Sequence, residues 1–330
     1  MGNKPKTTDG LMRHMRDNKK LNIGGSKQKR QLRNIGYFHG YKGYNFYQRK
    51  ENDLSYSEFT ELHALYEFDT EIKTLFYRHV MFSETAIKNR ILEIINKESG
   101  YDLEPLFEKV LIDYKKHAPG HKEYKKKLAQ TLRLRKDIYE KIHENCNTKP
   151  YISHYIYDDR PVPVYAVFEL LTLGNMVFLT RCLKDTMKIN LLKDLDLFIT
   201  SFEKNEKIIG DLIDCLKGLR NAIAHNGVLY DCRFKDNSTG KQLTEYFNVK
   251  MKVKNLEFNR IVDYLAVIIL ICSSLGYSKT ELKRIVREFE TSLNKLRNEL
   301  KHNISVYDKI IGTDVRTKIN QINTYINNIS

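Results

Sequence analysis

An all-α fold, a helical bundle with one small β-hairpin set into it, is what this sequence predicts, and three observations carry that reading. Apolar residues recur at intervals of three and four, as at Phe59, Leu62, Leu65, Tyr66, Phe68, Ile72, Leu75 and Phe76. Breaks at Gly24-Gly25, Pro119-Gly120 and Pro161 to Pro163 divide the chain into stretches of helical length. The alternation expected of strands is confined to the sequence around Asp236 to Gly240.

Taken in order, residues 1 to 33 are polar and basic, and the first twenty or so are expected to order only against a partner. Aromatics then alternate with glycines and bases from Arg33 to Lys50, a mixture able to stack bases and neutralise phosphates or, equally, to pack an irregular segment into the core. Ser57 is the N-cap candidate for a first long helix, and a second is expected from Ser83 through Ile95. A basic helix follows Pro119-Gly120. After Pro161 and Pro163 comes an apolar helix from about Val164 to Leu183 that contains a lone carboxylate, Glu169. A further helix runs from about Lys207 to His225, then the hairpin, and helices resume at about Leu256. The chain divides into a basic and aromatic segment (1–50), a helical region carrying the motif described below (51–235), and the hairpin with C-terminal helices packed on the core (236–330).

Lysine and arginine number 56 against 41 aspartates and glutamates, a net charge of +15 that points to a polyanionic partner. Nucleic acid fits better than a membrane, because the bases are spread from Lys4 to Lys318 and no basic amphipathic anchor stands out. The apolar run Tyr264 to Cys272 is too short to span a bilayer, and the basic N-terminus lacks the apolar stretch of a signal peptide. Five cysteines, at 146, 182, 215, 232 and 272, form no C-x-x-C pair, and the ten histidines show no metal-ligand spacing. The expectation is a reduced, cytoplasmic protein with no metal and no cofactor.

The stretch "GLRNAIAHNGVLY" places Arg220 and Asn221 ahead of His225, and two looser versions of this pattern occur at Arg33 to His39 and Arg297 to His302. Only the copy at 220 combines an apolar helical approach, small residues between the polar ones and a helix-ending Asn226-Gly227. Asn221 and His225 lie four apart on one helical face, so Asn221 is placed to support the imidazole. Arg220 stands about 140° round the helix from His225, which argues for a composite site between two motifs. Metal-free RNA cleavage needs a base for the 2′-hydroxyl, an acid for the leaving 5′ oxygen and a cation for the charge on phosphorus, and histidine and arginine supply these. The alternative is structural: Arg220 pairs with an acid such as Glu169, and His225 ends the helix.

For the RNA itself, the candidates are Lys115, Lys116, Lys122, Lys125, Lys126, Lys127, Arg133 and Arg135, in the densest positive run of the chain, with Tyr37, Tyr41 and Lys42 in the aromatic segment.

The segment "LRNAIAHNGVLY" resembles the R-x(4–6)-H motif of HEPN ribonucleases. With "NIGYFHGYKGY", "LYEFDTEIKTLF" and "PVPVYAVFELLTLGNM" in order before it, the chain resembles the Abi (AbiD/AbiF-like) abortive-infection family of bacterial phage-defence proteins. The resemblance implies a four- or five-helix HEPN core, metal-independent endoribonuclease activity with Arg220 and His225 catalytic and Asn221 in support, and a homodimer formed through that core. It also implies a structured non-coding RNA that restrains the toxin. Glu169 matches the acid of the family's central helix and is expected to support Arg220. Departures are the absence of tryptophan and the place of the nearest tyrosine, Tyr230, five positions after the histidine; Arg297 and His302 keep a second site within one chain open. A binding protein that grips structured RNA without cutting it is the rival reading.

Overall fold

The computed structural model describes residues 6–235 and 241–329. Among them are fifteen α-helices, no strand, and three isolated β-bridges, so the all-α expectation is met. The axis of the molecule is α3, Phe59–Ser99, 41 residues long. At about 1.5 Å per residue it runs some 60 Å. Neither glycine nor proline interrupts it, and Ser83, expected to open a second helix, is buried within the first. The helix starts one residue later than expected, capped reciprocally by Glu58 and Glu61, and stops at Gly100, whose φ is 71°.

Before it, α1 (Thr8–Lys19) and α2 (Gly25–Ile35) pack against each other through Met12, Met15 and Leu32, and Arg16 donates to the Ile23 carbonyl at 2.7 Å. Thus the N-terminal segment from Thr8 is ordered within the chain itself, contrary to the expectation that it needs a partner; Met12 and Met15 supply an apolar stripe that a composition-based reading undervalues. Gly36–Lys42 then makes a π-helical turn.

Beyond α3 come the short α4 (Leu103–Pro105), the basic α5 (Lys122–Asn145) and α6 (Pro150–Tyr157). The apolar helix expected over 164–183 is two helices, α7 (Val164–Leu170) and α8 (Leu173–Cys182). Thr172 breaks it, because its hydroxyl caps Asn175 N–H at 3.2 Å while Asn175 Oδ1 accepts from Thr172 N–H at 3.1 Å. After α9 (Asp185–Asp194), α10 (Asn205–Ala224) carries the motif and packs against α3, α8 and α9.

The hairpin is not formed where it can be seen. Its turn, 236–240, lies outside the described residues, and the segment expected as its second strand is helix α11, Lys241–Met251. Leu243, Tyr246, Phe247 and Met251 are the buried positions, spaced as in a helix, and this period outweighs the apparent alternation. The C-terminal part completes the bundle with α12 (Ile261–Ser274), α13 (Lys279–Glu299), α14 (Ile304–Ile311) and α15 (Val315–Asn328). Every residue of α12 up to Cys272 is buried, and its Asp263 is neutralised by Lys318 of α15 at 2.8 Å. One apolar core joins residues from all parts of the chain.

Candidate active site

Two charged residues on the buried face of α3 hold the motif. Helix α10 runs antiparallel to α3, so that Arg220 meets Glu84 and, six residues on, Asn226 meets Lys73. Arg220 Nε donates to Glu84 Oε2 at 2.9 Å, and its Nη1 donates to Asn221 Oδ1 at 3.1 Å. Glu84 is only 6% exposed; Lys88 approaches its other oxygen at 3.4 Å and donates to the Leu171 carbonyl at 2.7 Å. The guanidinium is therefore anchored on a nearly dry carboxylate while its own side chain stays 29% exposed.

The end of α10 is equally constrained. His225 is its C-cap residue, with its N–H bonded to the Asn221 carbonyl, and its side chain is exposed. Asn226 takes a left-handed conformation, φ 52°, which asparagine tolerates better than most residues, and Gly227 N–H returns to the Ala222 carbonyl at 2.7 Å. Lys73 donates to Asn226 Oδ1 at 3.0 Å and pairs with Asp69 at 2.9 Å. Asp69 is fully buried and accepts from Leu229 N–H, Tyr230 N–H and the Tyr44 hydroxyl at 2.8, 2.7 and 2.7 Å. Burial, reinforced by Asp69, pushes the Tyr44 phenol far above its ordinary pKa, which keeps it a donor.

The other side of Asn226 faces the aromatic segment, where its Nδ2 lies 3.3 Å from Nε2 of the exposed His39. Sequence reasoning missed Glu84, Lys73 and Asp69, and met His39 only as the end of a looser copy of the motif. Asp69, Lys73 and Glu84 are spaced by 4 and 11 along α3 and so share one face with Phe76, Val80 and Ile87, and charges on an apolar stripe were the signal available.

The other expected site residues are distributed as follows. Glu169 is exposed on α7, which packs against α3, α5 and α6; the acid bonded to Arg220 is Glu84, on the helix that packs along α10. Tyr41 is 4% exposed, stacked under the half-buried Tyr37 at 5.3 Å, and burial pushes its phenol up to about 12. It belongs to the core, and the ring offered to solvent is Phe38, 76% exposed, with Lys42 Nζ 4.7 Å from its centre. Lys115, Lys116, Lys122, Lys125 and Lys126 are exposed, and Lys127 contacts His117 at 2.9 Å. Arg133 lies 4.8 Å over Phe178 of α8, and Arg135 is held by Glu104 and the Phe107 ring, so these two serve packing as well as charge.

Arg297 and His302 are exposed at the end of α13. Their neighbour Lys295 pairs with Glu71 at 2.5 Å and Glu67 at 4.0 Å. Those acids lie about 140° round α3 from the face that carries Asp69, Lys73 and Glu84. Within one chain the fold does not bring Arg297 and His302 to Arg220.

Compared with known families, residues 30–231 match the model described as Abi-like protein. More than half of the chain is covered. The chain belongs to the Abi-like family. The match begins in α2 and ends one residue past Tyr230, so in this Abi-like chain it takes in His39, Lys73, Glu84 and the motif, and leaves out α11 to α15. Searches of curated proteins and of solved structures find no match. Among the described residues, no helix is long and apolar enough to cross a membrane.

Proposed function

We propose that this Abi-like protein is a metal-independent endoribonuclease of the HEPN type that acts as a toxin in phage defence. Membership of the Abi-like family supports the coarser role, abortive infection. The observation that carries the chemistry is the pairing of an arginine seated on buried Glu84 with an exposed histidine at the end of the same helix. A seated guanidinium presents fixed N–H groups to two phosphoryl oxygens, and the exposed imidazole of His225 exchanges protons with the 2′-hydroxyl or the leaving 5′ oxygen. Asn221 holds Arg220 by its side chain and His225 by its carbonyl.

RNA as partner is supported by the charge of +15 and by the exposed lysines from 115 to 126. Restraint by a structured non-coding RNA, a homodimer through the helical core and action in the bacterial cytoplasm complete the proposal. The deciding experiment is cleavage of a mixed RNA pool in EDTA by the wild type and by His225→Ala. Wild type should give 2′,3′-cyclic phosphate and 5′-hydroxyl ends, and His225→Ala should fold and bind RNA but not cut. A folded His225→Ala protein that cuts as well as wild type would instead favour the non-catalytic role of the motif in holding helices together.

A further inference from the structure

The looser copy of the motif at Arg33 to His39 ends in the histidine that meets Asn226. Its approach is a π-helical turn, Gly36–Lys42, a rare form that recurs at functional sites. The turn is tight: a Cβ at Gly40 would stand 2.4 Å from Ile35 Cγ1. From the other side comes Asn226, a non-glycine residue at positive φ. Two uncommon backbone conformations thus converge on one contact between exposed side chains, and an exposed hydrogen bond adds little to stability. The Lys73 ammonium has only donors, so it takes Asn226 Oδ1 and turns the amide nitrogen towards His39. Nε2 of His39 therefore faces the amide N–H and can accept from it.

We propose that His39 is the second proton-transfer group of the nuclease, acting as base beside His225 as acid, so that one chain supplies both imidazoles. This rests on the ribonuclease reading. The 2′-hydroxyl of RNA displaces the Asn226 amide and gives its proton to His39 Nε2, and the 2′ oxygen forms its bond to phosphorus. The bond from phosphorus to the 5′ oxygen breaks with its electron pair on that oxygen, which takes a proton from His225. Products are a 2′,3′-cyclic phosphate and a 5′-hydroxyl, and both rings return to their starting states by exchange with water. The groups facing His39 are the rings of Tyr44 and Tyr66, at 6.5 and 6.3 Å, and, through Asn226, Lys73 with Asp69 behind it.

The test compares wild type, His39→Gln, His39→Ala and His225→Ala on the same RNA in EDTA across pH. Glutamine retains an acceptor for Asn226, so His39→Gln should melt and bind RNA as wild type does. It should cut about 10² to 10⁴ times more slowly and lose one arm of the bell-shaped pH–rate profile. A substrate whose 5′ oxygen is replaced by sulfur, a leaving group that needs no acid, should restore cutting to His225→Ala and not to either His39 variant. If His39→Gln cuts at the wild-type rate with both arms intact while His225→Ala is dead, the ribonuclease reading survives and the His39 assignment fails; two copies of His225 across a dimer would then supply the pair. Absence of cutting by wild type overturns both.

Discussion

At the scale of single residues, Glu84 sets what Arg220 can do. A guanidinium on a long flexible stem loses much of its value to side-chain entropy unless something fixes it, and a buried carboxylate does so on one edge while Nη2 makes neither of the observed bonds. Replacing Glu84 by glutamine keeps the shape and removes the charge. The expected outcome is a loss of about 1–3 kcal/mol of stability, read by denaturant unfolding, together with a fall in RNA cutting. Glu169→Gln, on the exposed face of α7, should change neither. His79 makes a different prediction. It is 5% exposed, its Nδ1 has no hydrogen-bond partner, and burial, helped by Arg78 and Arg284, holds the imidazole down to about 4. An unfolded chain titrates this ring near 6.5, so the stability it confers is complete above that pH and is lost as pH falls towards 4. His79's share of the slope should approach about 1.4 kcal/mol per pH unit and should be missing in His79→Phe, as the difference between the two proteins' urea midpoints taken from pH 7 to 4 would show.

At the scale of elements, the π-helical turn is the most demanding piece of chain in the molecule. Gly36→Ala meets open space but must hold φ near 75°, for a loss of about 1 kcal/mol, whereas Gly40→Ala drives a methyl into Ile35 and should lose about 1–3 kcal/mol and displace His39. Melting temperature ranks the two, and RNA cutting shows whether the turn matters to the site. How far such elements were legible depended on what makes them. Helix α10 and its ending at His225-Asn226 could be read from apolar spacing and an Asn-Gly stop, which are local signals. The length of α3 was read short, with a second helix expected from Ser83, although no helix breaker stands near it. Helix α11 was mistaken for a strand because a short apolar run fits either period. Glu84 could not be picked out, since which carboxylate faces an arginine 136 positions away depends on how α3 and α10 pack, and neither local pattern records that. Lys73 and Asp69 were hidden for the same reason.

At the scale of the whole molecule, the charge of +15 is the property that a polyanion meets first. Reversing Lys125, Lys126 and Lys127 to glutamate should weaken RNA binding and flatten its salt dependence by roughly one logarithmic unit of slope per lost phosphate contact, with the fold unaffected because the buried face of α5 is Leu134, Ile138 and Ile142. Unchanged affinity would move the RNA surface to another face. The 41-residue α3 also has a consequence for the width of the site. It grips Arg220 through Glu84 and the loop after His225 through Lys73, eleven residues or about 16 Å apart. The rod acts as a calliper: the gap between the two grips on α3 is metered by its own rise. One residue inserted in α3 between the grips would swing one of them by about 100° and open the jaw, and an extra residue between Arg220 and His225, which lie on helix α10 and its cap, would turn the histidine by the same angle.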